Sequence, residues 1–297
     1  MVIWQDKEKD VRIDALTRLV PKKQFDVLTL DCLCREYDGT FSHAETVAGA
    51  VPDRHFRSFF LYYEGKRLIG ELYIFPTYTD NAEITAIVDP HQRRKGIFTK
   101  LLEVAEEELE KYGIEEYYFV AEPGCEAAGA VIDRMGLEKV YAELVMELRG
   151  DNDHNDNTGA EKIRTDGGKY TEKIRTDGGK NTEKIGIDGG KYRVTFTDTG
   201  EGLDAFLEET ETGETISTSG VSISGPVAFI HDVETKPELR NRGFGSMLIG
   251  EVLRRLKSGS ADIKIMLQVR SDNTAAVKLY EKAGFTVSQE LDYLKKR

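Results

Sequence analysis

Two short basic segments carry the chemistry of this chain. One is Pro237-Glu238-Leu239-Arg240-Asn241-Arg242-Gly243-Phe244-Gly245. Its earlier counterpart is Pro90-His91-Gln92-Arg93-Arg94-Lys95-Gly96-Ile97-Phe98, and Pro, Arg and the first Gly match at one constant offset. Each segment follows a strand-like run and opens a helix-like run. A basic, Gly-containing turn entering a helix is an anion cradle, because free N–H groups and the positive end of the helix dipole face a phosphate. Gly243 and Gly245 lack Cβ, so the backbone can approach a pyrophosphate closely. Arg240 and Arg242 add positive charge. Further along, Asn273 and Tyr280 are seven residues apart. On a helix that spacing puts both on one face, about 10.5 Å apart along the axis.

The elements that must position these residues can be read from periodicity. In the first half, Gln24–Tyr37 reads as a helix, and His43–Ala50 as a further helical stretch. Ser58–Tyr63 and Leu68–Phe75 flank Glu64-Gly65-Lys66-Arg67 as a hairpin. Ala82–Val88 is the strand before the first turn. Ile97–Lys111 keeps helical spacing at Leu101, Leu102, Ala105 and Leu109, with Gly113 past its end. Strand Glu115–Ala121, helix Cys125–Arg134 and strand Leu137–Leu148 complete this half. The last segment repeats the order. Strand Tyr192–Phe196 and a hairpin of Ala205–Thr210 with Ser217–Ile223 precede strand Val227–Thr235. Helix Phe244–Lys257 and strand Ile263–Val269 follow. A helix from Asp272 or Asn273 to Gly284 and strand Phe285–Tyr293 end the chain.

Between the halves, Glu161-Lys162-Ile163-Arg164-Thr165-Asp166-Gly167-Gly168-Lys169-Tyr170-Thr171 recurs from Glu172 and, degraded, from Glu183. Each unit carries Asp-Gly-Gly, a turn signal, and few apolar residues. Three such units are too short for a solenoid core. They read as an expanded linker or as an added β-ribbon on a domain edge. The expected division is 1–150, an N-terminal copy; 151–190, the repeat-bearing linker; and 191–297, a C-terminal copy.

A chain of 297 residues with 39% hydrophobic and 32% charged residues suits two soluble globular domains. Its net charge of −12 argues against a nucleic-acid partner. No apolar run approaches the about 18 residues of a membrane span, and the start of the chain lacks a secretory signal pattern. Cys32, Cys34 and Cys125 are too few and wrongly spaced for a disulfide framework or a zinc site. A cytoplasmic protein without a metal is expected.

Strand, R-x-x-G-x-G turn, helix, strand, helix, strand resembles the GCN5-related N-acetyltransferase (GNAT) superfamily. Val233–Gly245 looks like its acetyl-CoA motif. Asn273-x-x-Ala276-x-x-Leu279-Tyr280-x-x-x-Gly284-Phe285 looks like the motif that follows. The resemblance covers most of both halves and omits the middle. It implies an α+β architecture of tandem acyl-CoA N-acyltransferase folds, each a mixed, twisted sheet flanked by helices. It implies acetyl-CoA as cosubstrate and an amine of a small molecule or peptide as acceptor. Val233 and Thr235 would present backbone groups to the pantetheine arm. Arg240, Asn241, Arg242, Gly243, Phe244, Gly245 and Ser246 would hold the pyrophosphate, with help from Asn273. Tyr280 would protonate the departing thiolate. For the base, His231 and Glu234 stand on the preceding strand, and relay through water is the alternative.

The N-terminal copy departs from this pattern. Phe98 replaces the second Gly, and aligning Gly136 with Gly284 puts Ile132 at the Tyr280 position and Cys125 at the Asn273 position. Catalysis is therefore expected from the C-terminal copy. The N-terminal copy carries the helical segment that would wall an acceptor site, with Asp31, Glu36, Tyr37 and His43. Two other functions fit the residues. One is a catalytically inactive CoA-binding regulatory or scaffold protein, and the other is a protein-lysine acetyltransferase.

Overall fold

The computed structural model describes residues 1–40, 55–76, 81–149, 171–175, 181–259 and 262–296. The helical stretch expected at His43–Ala50 lies outside them. By its contacts the chain divides into two units, Met1–Ala142 with Gln289–Arg297, and Glu143–Ser288.

The first unit opens with strands β1 (Val2–Asp6) and β2 (Val11–Leu16), followed by helix α1 (Pro21–Asp38). Pro21 sits at the first helical turn, where no amide donor is needed, and Gly39 ends the helix in the left-handed region at φ 68. Strands β3 (Phe59–Glu64), β4 (Arg67–Pro76) and β5 (Asn81–Val88) form an antiparallel meander. Helix α2 (Ile97–Lys111), strand β6 (Glu116–Ala121), helix α3 (Glu126–Met135) and strand β7 (Leu137–Leu148) follow. β5 and β6 run parallel. The outer strand beside β6 comes from the end of the chain: in β15 (Phe285–Lys296), Asp292–Leu294 pair antiparallel with Phe119–Ala121. Opposite faces of this sheet are covered by different helices. α2 buries Ile97, Leu101, Ala105 and Leu109 among Phe60, Leu72, Ile74 and Ile84. α1 buries Val27, Leu30 and Cys34 against Leu61, Tyr63 and Leu68. Each fully buried Leu, Ile or Phe contributes roughly 1.5–3 kcal/mol.

The second unit contains β8 (Thr171–Arg175), β9 (Asn181–Ile187), β10 (Tyr192–Asp198), β11 (Gly202–Glu209), β12 (Thr215–Ser224) and β13 (Val227–Thr235). Helix α4 (Phe244–Gly259), strand β14 (Lys264–Arg270) and helix α5 (Thr274–Lys282) follow. Its strands are ordered β7-β14-β13-β12-β11-β10-β9-β8. Among the described strands of this unit only β13 and β14 are parallel, and residues Glu143–Glu147 of β7 pair with β14. Leu248, Ile249, Val252 and Leu256 of α4 fill the core with Val194, Ala205, Ile230 and Leu267.

The fold is α+β, with a mixed sheet and flanking helices in each unit. Two features go beyond the sequence reading, and a third decides between its two alternatives for the repeats. β1 and β2 add two strands where none was expected. β7 and β15 each begin in one unit and end in the other, a feature absent from the linear division at 150 and 191. The described part of the repeat segment forms a ribbon, with β9 paired to β10 and β8 to β9. In that register Glu172 stands opposite Lys184 and Lys173 opposite Glu183. Among the described residues no helix is long and apolar enough to cross a membrane.

Candidate functional site

In the second unit, parallel pairing of β13 with β14 covers only Val227–Ile230 and Lys264–Leu267. Beyond Ile230 the strands splay. A β-bulge accompanies the splay: Gly220 pairs with His231 and Thr218 with Glu234, so β13 carries one extra residue. Asp232 takes φ 50 within it. The edge of β13 from His231 to Thr235 thus offers backbone groups without a parallel partner.

The turn after this edge has a specific backbone. Pro237–Leu239 form one 3-10 turn and Arg240 is extended. Asn241 has φ 61 and Gly243 φ 84, and α4 starts at Phe244. Left-handed residues alternating with ordinary ones turn successive N–H groups toward a common point, an anion nest at a helix start. Arg240 Nε donates to the Thr235 carbonyl at 3.0 Å, which holds the turn against the strand. The Phe244 side chain packs edge-on against Tyr192 in the core (5.3 Å between centroids), so only its amide faces the turn. Thr235, Gly245 and Leu279 meet at one point. A Cβ on Gly245 would lie 2.8 Å from Leu279 Cδ1 and 3.5 Å from Thr235 Oγ1. The start of α4 therefore touches the middle of α5, next to Tyr280.

Tyr280 is 6% exposed and packs edge-on to Phe285. Burial pushes its phenol up to about 12, so the group keeps its proton at neutral pH. Asn273 serves the helix itself, because its Oδ1 caps α5 by accepting from the Ala276 amide at 3.2 Å. His231 lies between Ser222 Oγ (2.9 Å from Nε2) and Asp232 Oδ2 (2.8 Å from Nδ1). A side chain at Gly220 would collide with its ring, 2.4 Å from Cε1. Glu234 is exposed, and its carbonyl accepts from Ser217 Oγ at 2.6 Å. Val233 packs against the core, while Arg242 is exposed and Ser246 half-buried in the first turn of α4. The sequence-predicted residues 231–246 thus line one strand–turn–helix, with Tyr280 adjoining through Leu279. Ser222 and Asp232 were missed. Serine and aspartate on a hairpin carry no spacing signal until the bulge is known.

The first unit repeats this backbone and changes its surroundings. β5 and β6 pair only over Asn81–Ile84 and Glu116–Phe119, Arg94 has φ 63 and Gly96 φ 80, and Arg93 Nε donates to the Val88 carbonyl at 3.0 Å. No bulge interrupts the pairing of β5 with β4. Here the guanidinium is engaged: Arg93 donates to both oxygens of Asp38, at 2.7 and 2.5 Å. Cys125 precedes α3 without a side-chain capping bond. Of the acceptor-wall residues expected on α1, Asp31 is buried while Glu36 and Tyr37 are exposed. His43 lies outside the described residues.

This unit also holds a cavity of about 550 Å³, within the range of small-molecule sites. It runs through the splay. Phe98, Val131 and Ile132 line it on the α2–α3 side, and Asp31, Cys34 and Ile87 line it on the α1 side. Sequence reasoning missed this space, because a void follows from the joint size of many side chains rather than from a motif.

Two splayed parallel pairs, each leading through a nested turn into a helix, define a tandem acyl-CoA-type transferase fold. The profile of the Acetyltransferase (GNAT) family matches residues 27–137 and 192–285, and the chain belongs to that family as a tandem member. Its architecture is similar to a GCN5-related N-acetyltransferase from Sphaerobacter thermophilus (TM-score 0.67, 16% identity, 96% of this chain and 95% of that one). It is also similar to a tandem GNAT protein from the clavulanic acid biosynthesis pathway (TM-score 0.65, 15% identity, 96% and 97% covered). In sequence, a 62-residue stretch is 44% identical to the mycothiol acetyltransferase of Thermobispora bispora, covering 21% of each chain. A 54-residue stretch is 44% identical to that of Mycobacterium leprae, covering 17% of each. The matched stretch spans about a fifth of these relatives' length.

Proposed function

We propose that the chain is an acetyl-CoA-dependent N-acetyltransferase, moving an acetyl group directly to an amine of a small molecule or peptide, with its working cleft in the second unit. The observation that carries this reading is the conjunction there of a bulged, splayed strand edge, a nested turn and a buried neutral phenol. The turn from Arg240 to Ser246 would hold the pyrophosphate by its amides, with Arg240 and Arg242 supplying charge. Val233 and Thr235 would hold the pantetheine arm by backbone bonds, and Asn273 would close the far side. An amide at the bulge would polarise the thioester carbonyl. His231 is the better base. Asp232 at Nδ1 orients the ring so that Nε2 faces outward to Ser222, whereas Glu234 has no comparable support. Tyr280 would deliver its proton to the leaving thiolate. Most of the acceleration would come from positioning the amine against the thioester. The first unit, with Ile132 at the Tyr280 position, would not transfer.

Release of free CoA thiol measured with a panel of amines tests this, the acceptor of mycothiol acetyltransferases being one member. Amine-dependent release is the expected result. Tight acetyl-CoA binding with no amine-dependent release would instead favour the regulatory or scaffold function. Tyr280→Phe should lower kcat by about 10²-fold with little change in the KM for acetyl-CoA. Its melting temperature should hold, because the phenol has no hydrogen-bond partner among the described residues. Undiminished turnover in this variant would remove Tyr280 as the acid.

A further inference from the structure

We propose that the through-sheet cavity of the first unit binds, without transfer, a coenzyme A thioester whose acyl group is longer than acetyl. The starting observation is helix α3. It is amphipathic, yet none of its residues is buried. Ala127, Ala128, Val131 and Ile132 remain half-exposed because they face the cavity. In the second unit, the matching helix buries Tyr280 and presses Leu279 onto Gly245. Val131 and Ile132, smaller than Leu279 and Tyr280, leave open the space those side chains close. Phe98 adds an aromatic wall, lying against Phe119 at 6.5 Å between centroids.

The wall of Ala128, Val131, Ile132 and Phe98 suits an unbranched apolar tail better than a two-carbon acetyl group. The α1 side is mixed: Ile87 is apolar and burial pushes the Cys34 thiol up to about 12, so it stays uncharged, while Asp31 adds a buried carboxylate. The tail therefore belongs on the α2–α3 side. The mouth fits the polar end of the thioester. The cavity reaches Arg94, Gly96 and Ile97 at the start of α2, where amides converge on a phosphate-sized anion. Arg93 is held by Asp38, so side-chain charge for the head comes from Arg94. The strand edge beyond Ile84 offers unpaired backbone groups to a pantetheine arm. Nothing at the Tyr280 position can protonate a thiolate, so the thioester would remain intact.

Calorimetric titration of the full chain with acetyl-, butanoyl- and hexanoyl-CoA tests the assignment. One class of sites should tighten along the series, by up to roughly fourfold for each methylene fully buried and at least about tenfold overall. Ala128→Phe fills the cavity and Ile132→Tyr restores the residue of the second unit. Each should abolish the chain-length dependence. Melting curves without ligand identify a variant that has failed to fold, in which case the other decides. A flat or falling series in the unaltered chain overturns the proposal, as does a rise that survives in a folded variant. A flat series together with amine-dependent turnover would remove this site and leave acetyl transfer by the second unit standing.

Discussion

The turns at Arg93–Phe98 and Arg240–Gly245 share a backbone and differ in everything placed around it. Both carry left-handed residues at matching positions, and both hold an arginine Nε on the carbonyl of the preceding strand. In the second unit one inserted residue bulges the strand, a glycine admits Leu279, and a tyrosine is sealed beside them. In the first unit the strand is regular, a phenylalanine fills the glycine position, and a cavity opens where the tyrosine would be. The backbone of an anion cradle tolerates these changes because its donors are amides, which every residue supplies. The chemistry does not, because a proton donor and a narrow thioester slot depend on individual side chains.

The largest effect should come from making the second turn like the first. In Gly245→Phe the new Cβ would lie 2.8 Å from Leu279 Cδ1, so that side chain must move, and the phenyl ring beyond the Cβ would crowd α5 beside Tyr280. Overpacking of this kind costs about 1–3 kcal/mol, and displacement of Tyr280 should lower turnover on the order of 100-fold. Adding Leu279→Val copies the Phe98–Val131 pairing and should restore most of the stability but not the activity. Recovery of both in the double variant, read by thermal melts and CoA-thiol release, would reduce Gly245 to a packing residue and weaken the contrast between the units.

A second difference lies on the strand facing each bulge position. Glu71 pairs with Ile87 in the first unit, and Thr218 pairs with Glu234 at the corresponding place in the second. Glu71 is 7% exposed, and burial, then the neighbouring Asp31 carboxylate, push it up to about 8. The folded state therefore holds a proton that the unfolded chain releases near 4.5. Stability of the first unit should fall as pH rises from about 4.5 to 8. Glu71→Gln should flatten that slope and add on the order of 3 kcal/mol at pH 8.5. The single tryptophan, Trp4, packs beside Tyr62 in this unit. Its fluorescence during urea unfolding at pH 5 and 8.5 measures the change. A slope that persists in the variant would move its origin to another group.

Much of this comparison was legible in the residues. The paired turns, the helices that follow them and the loss of the tyrosine at Ile132 all rest on local spacing, which a sequence displays. What escaped notice was non-local. Asp38 meets Arg93 across more than fifty residues of chain, and nothing in either neighbourhood announces the pairing. β2 does alternate apolar and charged residues over Val11-Arg12-Ile13-Asp14-Ala15, but runs of five or six residues are short for a periodicity reading, and pairing with β3 is what fixes them. Each repeat carries an Asp-Gly-Gly turn signal, but low apolar content favoured a linker over a ribbon. Pairing with β10 supplies the missing stabilisation. The contributions of β15 to the first sheet and of β7 to the second are decided by long-range pairing that no window of sequence contains.

The smallest effects concern the two arginines themselves, and they separate a structural cradle from a working one. Arg93 grips Asp38 with two bonds, and the pair is only 22% and 12% exposed. Arg93→Ala would leave a half-buried carboxylate unpaired at the end of α1, at a cost of about 2 kcal/mol. Lysine should rescue this poorly, since one ammonium cannot reproduce the two-pronged geometry. Arg240 is exposed, and its described bond is the one from Nε to Thr235. Arg240→Ala should change stability by less than about 0.5 kcal/mol. It should raise the KM for acetyl-CoA by up to about tenfold, the worth of one charge-assisted hydrogen bond. Urea titrations and steady-state kinetics on the same two variants give both readings. Equal stability losses would mean that the second arginine also serves the fold, and an unchanged KM in Arg240→Ala that it does not hold the phosphate. The phosphate would then be held in both units by the amides of the turn alone.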